Sequence, residues 1–184
     1  YYFFFFKTVK PKKITIIGAG SNTLIRDGGV EGITIKLSSH FSYLNLLPAN
    51  IIEIGAATLD KKIADFAIEN SLTGFEFLSC IPGSIGGAIR MNSGCYGEDV
   101  SQILHSIKVI DIKGNKKEIS ASDINFYYRG SSFDQDLIIT SVKLKGKIAA
   151  REKIQKKQKK LVEQKKKIST KSNKNLWEYF QKYR

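Results

Sequence analysis

The chain has 184 residues, 42% of them hydrophobic, which is enough for one domain or two small lobes around a real core. Its net charge is +13, yet residues 147–184 hold 14 Lys/Arg against 3 Asp/Glu, while residues 1–146 hold 16 against 14. The body is close to neutral, and the basic balance belongs to the tail. Two cysteines (Cys80, Cys95) without a CxxC pair exclude a disulfide framework and fit a reducing, cytoplasmic compartment. Two histidines (His40, His105) argue against a His-based metal centre, and no apolar run approaches the ~20 residues of a membrane span.

The chain opens on "YYFFFFK", an aromatic run without the basic flank or cleavage site of a signal peptide. Because the first residue is Tyr1 rather than Met, the sequence reads as lacking the start of a longer protein. The run packs as an edge strand or reflects a broken frame; left unpaired, it would be an aggregation hazard. "KKITIIGAGSN" is a β-branched strand entering a glycine-rich turn, "GITIKLSS" the next strand and "NIIEIGAAT" a third. In "TLDKKIADFAIENSLTG" the period becomes helical, with Leu59, Ile63, Phe66 and Ala67 on one face, Thr58 as N-cap and Gly74 beyond the end. "HSIKVIDIKGNKKEIS" reads as a hairpin turning at Gly114-Asn115, "ASDINFYYRGSSF" as a short helical turn or loop, and "LIITSVKLKG" as a strand. From Arg151 lysine dominates, which predicts a solvated helix that frays.

Two glycine-rich segments interrupt this pattern. "IIGAGSN" fails the dinucleotide fingerprint: Thr23 stands where a third glycine belongs, the next strand arrives too soon for a crossover helix, and no acid follows it. The turn Gly18-Ala19-Gly20-Ser21-Asn22 is then either an anion-binding nest with Ser21 and Asn22 as extra donors, or an ordinary turn between strands. The stretch Cys80–Asp99, "CIPGSIGGAIRMNSGCYGED", has five glycines in twenty residues, a composition unlike a core helix or strand. Pro82 and Gly83 make a turn, Ser84 offers a hydroxyl, and Gly86-Gly87-Ala88 allow close approach, of a ligand or of a packed helix. Together the two loops suggest one extended ligand with an anionic middle, bound between lobes.

"GAGSNTLIRDGG", "PGSIGGAIRMNSGCYG" and "FYYRGSSF", in that order and spacing, resemble the UDP-N-acetylenolpyruvoylglucosamine reductase family over roughly Lys12 to Gly146. The resemblance implies an α+β, two-lobed FAD-binding fold of the vanillyl-alcohol oxidase (PCMH) type: residues 1–48 an incomplete first lobe, 49–146 the second lobe, and 147–184 a basic tail, helical or disordered. It implies FAD as cofactor and NADPH as reductant; the histidine count gives no reason to expect a metal. It also implies a UDP-sugar enolpyruvyl ether as substrate, in cytoplasmic peptidoglycan precursor synthesis. Gly18, Ala19, Gly20, Ser21, Asn22, Thr23 and Leu24, with Pro82, Gly83, Ser84, Gly86, Gly87 and Ala88, would hold the FAD pyrophosphate and ribityl chain. Asn92, Gly94 and Tyr96 would border the isoalloxazine or its approach. Arg129 matches the catalytic arginine, a planar guanidinium suited to an enolate.

The family's serine segment "GS-x-F" and its late glutamate have no match in "KSNKNLWEYFQKYR". The expectation is therefore a chain without the third, substrate-binding domain. Turnover by the chain and a non-catalytic flavin- or nucleotide-binding remnant stay open as readings. Nucleic-acid binding through the tail is disfavoured, since the tail's aromatics (Trp177, Tyr179, Phe180, Tyr183) bunch at its end and do not alternate with bases.

Overall fold

The computed structural model describes residues 13–134 and 136–182, with side chains as far as residue 167. The aromatic opening and the side chains of Trp177, Tyr179, Phe180 and Tyr183 lie outside the described residues.

Each β-branched run forms a strand. β1 (Ile14–Ile17) and β2 (Ile33–Lys36) pair in parallel, Ile14 opposite Ile33 through Ile17 opposite Lys36. The remaining long strands are β3 (Leu44–Leu47), β4 (Ile51–Gly55), β5 (Leu104–Ile110), β6 (Lys116–Ser120) and β7 (Ile138–Lys145). They form one antiparallel sheet in the order β3-β4-β7-β5-β6. The β5–β6 hairpin turns where the sequence places it. The Asp111 carboxylate accepts from the Lys113 and Asn115 amides, which holds its pKa low, the Asn115 bonds contributing most.

β3 is absent from the sequence-based reading. Asn45 and Leu46 are both exposed, so no period-2 signal marks it, and pairing with β4 makes it a strand. Its hairpin closes through Ala49 and Asn50, both in the left-handed region (φ 60° and 61°). The lobe boundary expected between residues 48 and 49 falls inside this hairpin, because Leu44–Leu47 take their hydrogen bonds from β4.

The sheet's inner face carries Ile52, Ile54, Ile107, Val142 and Leu144, all buried. Helix α1 (Asp60–Glu69) lays Ile63, Ala64, Ala67 and Ile68 into this core. Two details depart from expectation. Thr58 is not the N-cap, since its hydroxyl donates to the Tyr43 carbonyl at 3.2 Å and Leu59 takes the capping position. Leu59 itself is half-exposed, turned from the core towards the cleft described below. The sheet's outer face is polar, crossed by Lys108–Glu53 (2.6 Å) and Lys143–Glu118 (2.8 Å) ion pairs.

The glycine-rich stretch is more ordered than its composition suggests: Ile85–Arg90 is a helix (α2), with Ile85, Ala88 and Ile89 buried. The final helix α3 (Arg151–Lys182) is not simply a solvated appendage. Ile154 and Leu161, seven residues apart, are buried, as a heptad-spaced pair on one face should be. Lys157 reaches Glu98 at 2.6 Å and the buried Glu76 at 3.5 Å, Gln158 donates to Asp65, and Lys165 donates to the Cys80 carbonyl at 2.6 Å. The helix thus braces the 3-10 turn Glu76–Cys80 that leads into the second glycine loop.

Candidate functional site

The two glycine loops meet. Ser21 of the first donates its hydroxyl to the Pro82 carbonyl of the second. A side chain added at Gly18 would put its Cβ 2.6 Å from Ser84 Oγ, so the loops cross closely here and the Ser84 hydroxyl would have to turn away. The first turn closes with Thr23 N–H on the Gly20 carbonyl, and Gly20 takes the left-handed conformation (φ 79°) that a nest of backbone N–H groups uses.

The second loop is anchored from behind. Ile85 N–H donates to the Thr58 carbonyl and Gly86 N–H to the Ala56 carbonyl, both at 3.0 Å, which docks the start of α2 on the end of β4. A Cβ on Gly86 would lie 3.1 Å from both Ala56 Cβ and the Ala56 carbonyl oxygen, whereas one on Gly87 would meet nothing within 4 Å. The sequence treats Gly86 and Gly87 alike; the structure separates them. Gly86 is small for packing, and Gly87 leaves its face open to the cleft.

That cleft encloses about 1000 Å³. It brings together Gly18, Ala19, Gly20, Ser21, Asn22 and Thr23 with Pro82, Gly83, Ser84, Gly87, Ala88, Asn92, Gly94 and Arg129. Through shared walls at Ile16, Gly18, Ser84 and Arg90 it continues into an apolar recess of about 320 Å³ that includes Ile17, Leu37, Leu59 and Ile139. Gly86 borders the recess and not the main cleft. Leu24, 96% exposed, and Tyr96, 42% exposed, border neither. Tyr96 stands on a left-handed turn (φ 55°) between the short paired segments Gly94–Cys95 and Glu98–Asp99, which carries its ring outward.

Arg129 sits at the tip of the turn joining Phe126–Tyr127 to Gly130–Ser131, with φ at 59°, a conformation strained for a non-glycine residue. It is exposed and makes no ion pair among the described residues. Its hairpin is held by Arg90, a residue missed from the sequence because an isolated arginine after "GGAI" carries no signal. The Arg90 guanidinium donates to the carbonyls of Phe133 (3.2 Å), Asp134 (2.9 Å) and Leu137 (2.6 Å), and stacks on the Phe133 ring at 4.1 Å. Burial lowers its pKa from the ordinary value, with Asp134 opposing. The Arg90 carbonyl in turn accepts from Ser131 Oγ at 2.9 Å.

Two polar groups on the cleft wall are buried with no partner among the described residues: the Asn92 side-chain carbonyl and both carboxyl oxygens of Asp60. Burial pushes the Asp60 pKa up to about 7. Burial foremost, and then Cys80, pushes the Cys95 thiol up to about 12, which leaves it a poor nucleophile. Among the described residues there is no cluster of His, Cys, Asp and Glu that could hold a metal ion, and no helix long and apolar enough to cross a membrane.

An apolar recess thus opens into a polar crossing of two glycine loops, and the comparisons give the class of protein this fold belongs to. A family model described as an FAD binding domain matches residues 8–120, and the chain belongs to that family. Curated relatives are UDP-N-acetylenolpyruvoylglucosamine reductases; the one from Pelagibacter ubique (strain HTCC1062) is 46% identical over 146 residues, covering 79% of this chain and 48% of the relative. The chain spans about half the length of the curated relatives it matches. The crystal structure of UDP-N-acetylenolpyruvylglucosamine reductase from Thermus caldophilus superimposes with a TM-score of 0.79 at 28% identity, over 88% of this chain and 59% of that one. Glucooligosaccharide oxidase from Acremonium strictum, at a TM-score of 0.51 and 11% identity over 74% and 30%, shares the fold alone. The α+β FAD-binding fold of the PCMH type and the family resemblance carried by the three motifs both hold.

Proposed function

We propose that this chain forms the flavin-binding part of a cytoplasmic UDP-N-acetylmuramate dehydrogenase of peptidoglycan precursor synthesis. One observation carries the reading. Three motifs far apart in the sequence, the two glycine loops and the Arg129 hairpin, line a single cleft. The residues fit FAD on the structure's own terms: the face of Gly87 is open, the loops approach closely at Gly18 and Ser84, and the Asn92 carbonyl is buried without a donor. The lobe division that best follows the pairing lies before Leu44.

When bound, FAD reduced by NADPH supplies the hydride that saturates the enolpyruvyl double bond of the UDP-sugar substrate. The rest falls to the chain. Gly18–Asn22 with Gly83, Ser84 and Gly87 would hold the diphosphate and ribityl chain, through backbone N–H groups and the Ser84 hydroxyl, while Ser21 ties the first loop to the second. The recess walled by Ile16, Leu37, Leu59 and Ile139 would shelter an apolar part of the cofactor from water. Arg129 is exposed on the same cleft, where its guanidinium can grip the substrate carboxylate as charge spreads into it, an oxyanion-hole role. Arg90 positions that hairpin from behind. Lys157 and Lys165 of the basic tail are engaged on the protein itself, which favours a bracing role over nucleic-acid binding.

The visible spectrum of the purified chain tests the reading. Flavin bands near one per chain support it; a folded, colourless protein that takes up no added FAD removes it. Oxidation of NADPH that depends on the enolpyruvyl substrate then separates turnover from flavin binding alone.

A further inference from the structure

The hairpin that carries Arg129 has a base and a tip, and different groups hold them. At the base, Ser131 Oγ donates to the Arg90 carbonyl at 2.9 Å. Asn125 N–H donates to Ser132 Oγ, and Ser132 N–H to the Asn125 carbonyl, each at 2.9 Å. None of these bonds reaches the two residues of the turn itself. Among the described residues no side-chain hydrogen bond or ion pair engages Tyr128 or Arg129, and Tyr128 is 91% exposed. Of the two, only Arg129 has a positive φ. A left-handed arginine without support would relax, because its Cβ crowds the carbonyl that follows.

The support comes from across the turn, where Tyr127 pairs with Gly130. A Cβ built on Gly130 would stand 2.6 Å from Tyr127 Cζ and 2.9 Å from Cδ2, so the ring lies over the bare Cα. Gly130 is buried and has no positive φ, so its lack of a side chain answers to the ring and not to the backbone. An aromatic ring laid over the glycine opposite it is a device that pins short antiparallel pairs. The Tyr127 hydroxyl donates to the Ser131 carbonyl at 3.3 Å, a long bond that is secondary to the ring contact. We infer that Tyr127 is a positioning residue: its ring, seated on Gly130, clamps the turn so that Arg129 stays left-handed on the cleft wall, where it meets the substrate carboxylate. This inference rests on the role proposed for Arg129 above. The clamp acts on population. Without it only a fraction of chains present the arginine, and apparent affinity for the carboxylate falls by that fraction.

Two nuclear magnetic resonance signals of Arg129 in the FAD-loaded chain test the inference. The first is its intraresidue amide–Hα NOE, strong at positive φ; the second is its side-chain Nε–Hε resonance during titration with the enolpyruvyl UDP-sugar. Wild type is expected to show the strong NOE and a shift on titration. Tyr127→Ala should weaken the NOE and raise the apparent Kd read at Arg129 about tenfold, the factor for releasing a left-handed residue. Gly130→Ala, which keeps the tyrosine but removes its seat, should do the same. Tyr127→Phe keeps the ring and should stay within about twofold of wild type, as should FAD affinity in all three variants, since the clamp touches neither glycine loop. A weak NOE in wild type overturns the inference, as does either alanine variant with both signals intact. Gly130→Ala intact beside an impaired Tyr127→Ala would make the ring a direct contact of the substrate, and a parallel loss of FAD binding would make it a general support of the cleft; each overturns the positioning role. If Arg129 of wild type does not respond to the substrate, the role proposed for that arginine falls, and the inference with it.

Discussion

The two walls of the cleft are built differently. The first, Gly18–Thr23, is exposed at every residue but is joined to the molecule by the four-residue β1–β2 pair and by Ser21 on Pro82. The second, Pro82–Asn92, is backed by β4 through two backbone bonds, by α3 through Lys165 on the Cys80 carbonyl, and by Arg90 across to Phe133–Leu137. One wall is pre-formed and carries the costs of burial, an unpaired carboxyl among them. The other is an exposed rim of backbone with few partners of its own. Stability changes should therefore concentrate in the second wall, and affinity changes should come from either.

The largest expected effect is the pH dependence set by Asp60. Its folded pKa, about 7, lies above the ordinary value of 3.8, so the folded state binds the proton more tightly than the unfolded state does. Stability then falls as pH rises from about 4 to about 7 and is level above that, a loss of at most about 4 kcal/mol. Asp60→Asn should remove that fall, seen as a Tm that no longer declines across this window; an unchanged profile would place the burial cost elsewhere. Next in size is Gly86→Val, whose side chain meets Ala56 at 3.1 Å. It should cost about 3 kcal/mol by overpacking and displace the second wall, so Tm and FAD binding fall together.

Arg90→Met leaves three carbonyls without their donor and should cost about 2 kcal/mol, with faster amide exchange along Phe126–Leu137 as the local signature. The smallest stability effect belongs to Gly87→Ala. Nothing lies within 4 Å of its new methyl group, and alanine is the better helix former, so stability should hold or rise by under about 1 kcal/mol. FAD affinity should nevertheless drop at least tenfold. If Gly87→Ala bound FAD normally while Gly86→Val remained folded, the roles assigned to the two glycines would have to be exchanged.

How far these features were legible from the sequence follows from how local each one is. β1, β2, β4, β7 and the β5–β6 hairpin were readable because β-branched runs and the Gly114-Asn115 turn signal structure within a few residues. β3 was not, since Leu44–Leu47 has no alternation of its own and exists by pairing with β4. The site shows the same division. Most residues of the two loops and Arg129 do line the cleft, because glycine-rich turns and a matched motif can be read from residue type and spacing. Leu24 and Tyr96, assigned from the family resemblance, border neither the cleft nor the recess, for residues of one motif need not share a face.

Sequence by itself determined the strand and helix runs, the near-neutral body with its basic tail, and the kinship of three glycine- and arginine-bearing motifs, all of which depend on residue type and spacing. Only the tertiary structure decided that Gly86 is small for Ala56 while Gly87 faces open space, that Arg90 ties down the hairpin of Arg129, and that α3 is a brace. It alone revealed Asp60, unremarkable in a first helical turn, as a carboxyl group buried without a partner. The physical reason is common to all four: burial and contact are properties of segments brought together from distant parts of the chain.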